Sequence, residues 1–208
     1  MATHSSRPGI PLRALAPNAV TALALCTGLS GAWFAMQGRW ENAVAAIVIA
    51  GVLDAMDGRI ARMLKGESRF GAELDSLSDV IAFGATPALI MYMWVMQDMP
   101  RFGWTISVFF VLCAALRLAR FNAQIDTENQ PHKSAGFNTG VPSPPGAAMA
   151  LLPMMIWFET GADWVRDYRF LAPWLLLCAL LMISNVATYS WSSIKVRRSL
   201  RFMALAVL

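Results

Sequence analysis

Between Asp54 and Asp79 the chain reads DAMDGRIARMLKGESRFGAELDSLSD, setting four aspartates, Asp54, Asp57, Asp75 and Asp79, inside or beside segments apolar enough to lie in a membrane. An ionised carboxylate at such a depth costs about 2.5–3.5 kcal/mol even on the lenient insertion scale. Each therefore needs a compensating partner. On a helix advancing about 100° per residue, Asp54, Asp57 and Ala61 fall on one stripe with Gly58 beside it, and Asp75 and Asp79 form an i,i+4 pair on the next helix. The turn between them carries Arg62, Lys65, Gly66, Arg69 and Gly71, which is too polar to cross a bilayer and reads as a bend at its surface. If the two helices run antiparallel from that bend, Asp57 lies at about the depth of Asp75 and Asp54 near that of Asp79, roughly 6–15 Å from the surface. The four carboxylates then make one cluster, open to water on the turn side.

Four converging negative charges repel, so some are protonated or cations sit between them. Oxygen ligands without His or Cys favour a hard ion, Mg²⁺ or Mn²⁺, over Zn²⁺. Two divalent ions about 3.5–4 Å apart are a known device for clamping a phosphate in transfer. Acidic residues in membrane helices also serve as proton relays or ion-transport sites, or pair structurally with a neighbour such as Arg62.

The order Asp54, Asp57-Gly58, Ala61-Arg62, Gly71, Asp75, Asp79, with eight residues between Arg62 and Gly71, resembles the signature of the CDP-alcohol phosphotransferase family. The resemblance implies a membrane enzyme that moves a phosphate-bearing group from a CDP-linked donor to an alcohol and releases CMP. It implies Asp54, Asp57 and Asp75 as principal metal ligands, and Asp79 as general base, itself able to touch a metal. It further implies that Asn18, in a Pro-Asn pair, helps bind the cytidine nucleotide, with Gly58, Ala61, Arg62 and Gly71 also on the CDP side. A homodimer is expected on the same ground, and no nucleic-acid partner.

At 208 residues, 57% hydrophobic and 14% charged, with a mean hydropathy of +0.49, the chain is wrong for a soluble fold of this size and reads as an integral membrane protein. The expected fold is an all-α bundle of about six transmembrane helices. A flexible basic segment over 1–14 precedes the transmembrane domain over 15–190, and a basic, then apolar tail over 191–208 is too short to cross and anchors at the surface. Leu15 to Met36 resembles a signal peptide in its basic flank, but its length suits a retained first span, with Pro17 in its first turn. Helix two is expected from about Trp40 to Leu64, helix three from about Gly71 to Val95 and helix four from Phe102 to Arg117 or beyond. A long polar connection covers 124–140; helix five runs from Val141 to Phe158 and helix six from about Phe170 to Tyr189. Cys26, Cys113 and Cys178 sit singly in apolar runs and read as small packing residues.

Thirteen of the 17 lysines and arginines fall on the side holding both termini, the 62–70 turn and the 117–140 region, leaving Arg39, Arg101, Arg166 and Arg169 opposite. Basic residues mark the cytoplasmic face, so both termini and the open side of the acidic cluster are expected there, which in a bacterial cell means the inner membrane.

The acceptor alcohol is a separate question. RLARFN at 117–122 and GFNTGVPSPPGAA at 136–148 resemble segments of the bacterial branch of the family that attaches L-serine to the phosphatidyl group of CDP-diacylglycerol. Free serine carries a carboxylate, so its site needs a fixed cation: Arg120 is expected there, with Asn122 and Lys133 as helpers. Arg117 reads more readily as an interfacial cation, and His132 as a solvated loop residue. Alternatives are the same chemistry on glycerol 3-phosphate, inositol phosphate or choline, and a non-enzymatic cation transporter. Transport would want polar groups through both halves of the membrane, and the outer halves here are apolar.

Overall fold

The computed structural model describes residues 12–64, 68–125, 137–184 and 187–189. Lys65, Gly66, His132, Lys133, the first eleven residues and the tail from 190 lie outside the described residues. Among those described there are six principal helices: α1 (Leu12–Met36), α2 (Trp40–Leu64), α3 (Arg69–Trp94), α4 (Gly103–Ile125), α5 (Ser143–Thr160) and α6 (Tyr168–Ile183). Three are long and apolar enough to cross a membrane: Leu15–Met36 of α1, α3, and Gly103–Ala123 of α4.

The boundaries follow local chemistry. Ser68 caps α3, its hydroxyl accepting the Gly71 N–H at 3.0 Å. Pro142, Pro144 and Pro145 cluster at the start of α5, where a missing N–H is harmless, and Gly161 ends that helix in the left-handed conformation (φ 63°) with its N–H on the Trp157 carbonyl. Pro17 lies inside α1 rather than in its first turn, because the helix begins earlier, at Leu12.

Two features depart from a plain six-helix reading. Helix α3 widens over Val80–Ala85 into a π turn, in which the Thr86 N–H reaches back to the Ile81 carbonyl. Pro87 follows directly and has no N–H to give, so the wide turn accommodates a ring that a regular helix would exclude. The last helix, expected to run to Tyr189, stops at Ile183. The backbone is extended at Ser184, and Ala187–Tyr189 instead pairs antiparallel with Phe137–Thr139, Asn138 opposite Thr188. This ladder satisfies backbone groups of the long polar connection that no helix serves.

The C-terminal half of α3 forms the centre of the core. Phe83, Ile90, Met91 and Trp94 are buried against Phe110 of α4, Leu151 and Met154 of α5, and Leu171 and Leu175 of α6. Cys113 and Cys178 are packed in this core, whereas Cys26 is exposed. Helix α1 lies along α2 and also touches α3. Small residues permit this: a Cβ on Gly28 would stand 2.6 Å from Ala82 Cβ on α3 and 3.5 Å from Ala50 Cβ on α2. Because backbone lies behind the Ala82 contact, Gly28→Ala should force the helices apart at a cost on the order of 1–3 kcal/mol. A fall of roughly 2–10 °C in the unfolding midpoint of detergent-purified protein is expected. Leu29→Ala, at the exposed neighbouring position, should move it little.

Candidate functional site

Helix α2 presents Asp54 and Asp57 inward, and the first half of α3 presents Asp75 and Asp79. One carboxylate oxygen from each of Asp54, Asp57 and Asp75 lies within 4.8 Å of the other two. Asp57 is buried, Asp54 and Asp75 half-buried. Asp79, one turn deeper on α3, lies near enough to Asp54 and Asp75 for the charges to repel. Its Oδ1 is buried and meets no hydrogen-bond partner among the described residues. Several carboxylates at this spacing, one oxygen of them without a donor, fit a divalent cation with oxygen preference.

Helix α1 holds the cluster from the third side. The Thr21 hydroxyl stands 2.6 Å from Asp57 Oδ2 and 3.1 Å from the Pro17 carbonyl. It has one proton, and the short contact to a carboxylate is where that proton counts most. Ser78 of α3 donates to the Thr21 carbonyl at 3.4 Å, so residue 21 ties all three helices together.

From the cluster a cleft of about 490 Å³ opens between α1, α2 and α3, with Phe121 of α4 on its wall. Asn18, Gly58, Ala61, Arg62 and Gly71 all line it, together with Pro17, Ser68 and Ala72. Two glycines serve different ends here. A Cβ on Gly58 would meet nothing within 4 Å, so that position is open to the cleft, whereas a Cβ on Gly71 would stand 2.9 Å from Asn18 Oδ1. Gly71 thus makes room for the Asn18 side chain. Arg62 is exposed at the cleft wall.

The acceptor-side residues of the sequence reading are spread more widely. Arg120 is exposed and donates to the Ile183 carbonyl at the end of α6, at 3.4 Å. Asn122 exchanges hydrogen bonds with Ser76, the neighbour of Asp75, at 3.0 and 3.2 Å, linking α4 to α3. Lys133 lies outside the described residues. Arg117, also on α4, acts on the carboxylates, its charge attracting that of Asp79. One of its terminal nitrogens donates to the buried Ser143 hydroxyl at 2.7 Å, and its Nε is buried without a partner among the described residues.

Thr21 and Ser143 were not legible as site residues. Thr21 had one available signal: it shares a helix face with Asn18, three residues earlier, in a largely apolar helix. Ser143 had none, because its partner is 26 residues away. Outer-shell partners of metal-binding carboxylates typically contribute 10–100-fold to metal affinity. Thr21→Val, of similar volume, should therefore weaken Mn²⁺ binding about 10–100-fold in an electron paramagnetic resonance titration while the protein stays folded.

Residues 14–191 match the family model described as CDP-alcohol phosphatidyltransferase. Among curated relatives, a CDP-diacylglycerol–serine O-phosphatidyltransferase of Mycobacterium bovis is 36% identical over 202 residues, 97% of this chain and 70% of that one. Proteins of the same name from Helicobacter pylori and Methanocaldococcus jannaschii are 32% identical over 194 residues (93% of this chain, 80% of the relative) and 33% over 145 (70% and 62%). With most of its length matched by the family model and by these relatives, this chain belongs to the CDP-alcohol phosphatidyltransferase family.

Proposed function

We propose that this chain transfers the phosphatidyl group of CDP-diacylglycerol to the hydroxyl of L-serine, forming phosphatidylserine and CMP, at the cleft between α1, α2 and α3. The observation that carries the reading is the meeting of the Asp54, Asp57 and Asp75 oxygens within 4.8 Å, two of these residues, Asp57 and Asp75, lining a cleft with Asn18, Gly58 and Arg62. Serine as acceptor is supported by the name shared by the mycobacterial, Helicobacter and archaeal relatives.

The roles follow from chemistry. Serine's hydroxyl oxygen bonds to the phosphorus that bears the diacylglycerol, the bond from that phosphorus to the CMP oxygen breaks, and the hydroxyl proton passes to Asp79. Asp79 suits this task because its Oδ1 has no donor among the described residues. Asp54, Asp57 and Asp75, with Asp79 at their edge, are the residues that would hold two Mg²⁺ or Mn²⁺ ions. Bound there, such ions would supply charge cancellation for the diphosphate and the departing CMP. Asn18 of α1 and Arg62 of α2 hold the nucleotide and its diphosphate, while Gly58, Ala61 and Gly71 keep the cleft wide enough for both. Arg120, Asn122 and Lys133 are the proposed acceptor-side groups, and Arg117 joins them because of its pull on Asp79.

The excess of lysine and arginine on one side supports an inner-membrane protein with the cleft and both termini facing the cytoplasm. A homodimer is proposed from the family resemblance.

Purified protein given labelled CDP-diacylglycerol and a panel of alcohols should release CMP with serine in preference to glycerol 3-phosphate, inositol phosphate or choline, and only with a divalent ion present. No preference for serine sinks the acceptor assignment. Asp79→Asn should lower the rate by about 10²–10⁴-fold while Mn²⁺ still binds, the loss typical of removing a general base. Metal flux into sealed vesicles without CMP release would make the chain a transporter instead.

A further inference from the structure

Two contacts between α3 and α4 fix where Arg117 stands. Ser76 and Asn122 are hydrogen-bonded, and Gly84 meets Ala114 so closely that a Cβ on the glycine would stand 3.1 Å from the alanine. The two contacts are the same number of residues apart on each helix, so α3 and α4 run antiparallel in register over roughly 12 Å. Asp79 and Arg117 both fall inside that stretch. Their backbones lie within roughly 3 Å of one level, and their charges attract.

The anchor of Arg117 is Ser143, the first residue of α5, whose hydroxyl accepts from one terminal nitrogen of the guanidinium at 2.7 Å. A serine at a helix start ordinarily turns its oxygen to the backbone N–H groups that follow it. That use is closed here. Pro144 and Pro145 have no N–H, and the Gly146 N–H goes to the Pro142 carbonyl at 2.9 Å. Ser143 is 0% exposed, so bulk water does not compete for its oxygen either.

The bond also limits the arginine. Its Nε is buried and has no partner among the described residues. A guanidinium is planar and turns as one piece, so Nε cannot seek an acceptor elsewhere unless the terminal nitrogen leaves Ser143. A buried N–H left unpaired is costly, and an orientation that keeps one unpaired needs a reason. The reason offered by the geometry is the neighbouring carboxylate.

We propose that Ser143 is a positioning residue for phosphatidyl transfer, its hydroxyl holding the Arg117 guanidinium level with Asp79, where the acceptor alcohol reacts. This rests on the reading of the chain as a phosphatidyltransferase and adds a residue of α5 that acts through Arg117 without touching substrate.

The test is a double-mutant cycle on the purified full chain, following CMP release from labelled CDP-diacylglycerol with serine, alongside Mn²⁺ binding by electron paramagnetic resonance. Ser143→Ala should lower kcat/KM for serine about ten-fold, the scale of one charge-assisted hydrogen bond, and leave the donor's KM and Mn²⁺ binding within about two-fold of wild type. Ser30→Ala, which removes an exposed hydroxyl bonded to its own helix, should change neither. In an Arg117→Ala background the further change Ser143→Ala should cost less than about two-fold, because the group it positions is gone. Where Arg117→Ala releases too little CMP to read, Arg117→Lys takes its place, since an ammonium lacks the forked donors and the added loss should stay below about three-fold. The same ten-fold loss with and without Arg117 overturns the proposal, as does wild-type turnover in Ser143→Ala. Loss of Mn²⁺ binding in Ser143→Ala overturns it too, by showing that the serine holds the fold. Wild type that releases no CMP with any alcohol sinks the underlying reading and this proposal with it, whereas the other adverse results leave that reading standing.

Discussion

Mutual repulsion among carboxylates in apolar surroundings is the force that the rest of this molecule is built to contain. Asp54, Asp57 and Asp75 come within 4.8 Å of one another from two helices, and a third helix is needed to keep them there. Helix α1 does this by contact at two levels. Gly28, with no side chain, lets α1 approach both Ala50 and Ala82, and that approach sets Thr21 against Asp57 on one side and Ser78 on the other. The polar tie depends on the small-residue packing. A hydroxyl at position 21 reaches a carboxylate only if the helices are already close.

Helix α3 has two jobs that a straight regular helix would combine poorly. Its first half borders the cleft with Gly71, Ala72 and Asp75, and its second half is the apolar centre of the bundle, with Phe83, Ile90 and Trp94 buried. The π turn over Val80–Ala85 stands at the junction. One extra residue in a turn rotates everything beyond it by about 100° relative to a regular helix, so the polar face and the buried face need not lie on one stripe. Gly84, inside the wide turn, lets α4 come close enough that a Cβ would stand 3.1 Å from Ala114. One turn further along α4, Arg117 acts on Asp79 while anchored to Ser143 of α5. The proposed base is thereby influenced from α2, α4 and α5 together.

Some of this was readable from residue order and some was not. The helical character, the apolar span Leu15–Met36 of α1 and the bounds of α2 follow from apolar run lengths and from polar residues too costly to bury. The end of α4 was left open at Arg117 or beyond, because Arg117 and Arg120 resemble an interfacial end, and the helix continues to Ile125. The last helix was overestimated: apolar content carried the reading through Ser184, where the backbone turns extended and pairs with a distant strand. Between Arg117 and Arg120, spacing favours neither as the neighbour of a carboxylate. The two are three residues apart on one helix side, and only the packing of α4 against α3 and α5 distinguishes them.

By itself the sequence determined that carboxylates would sit in membrane-like segments on two consecutive helices, because the aspartate spacing matches one turn of helix and each buried charge demands a partner. It also determined the family, through positions held at set intervals over 26 residues. Tertiary structure alone decided which groups complete the site: Thr21 of α1 on Asp57, Arg117 opposite Asp79, and the bare face of Gly58 on the cleft. The reason is physical. Periodicity fixes which side of a helix a residue takes, but which other helix stands on that side depends on how small residues and proline-widened turns let the rods pack.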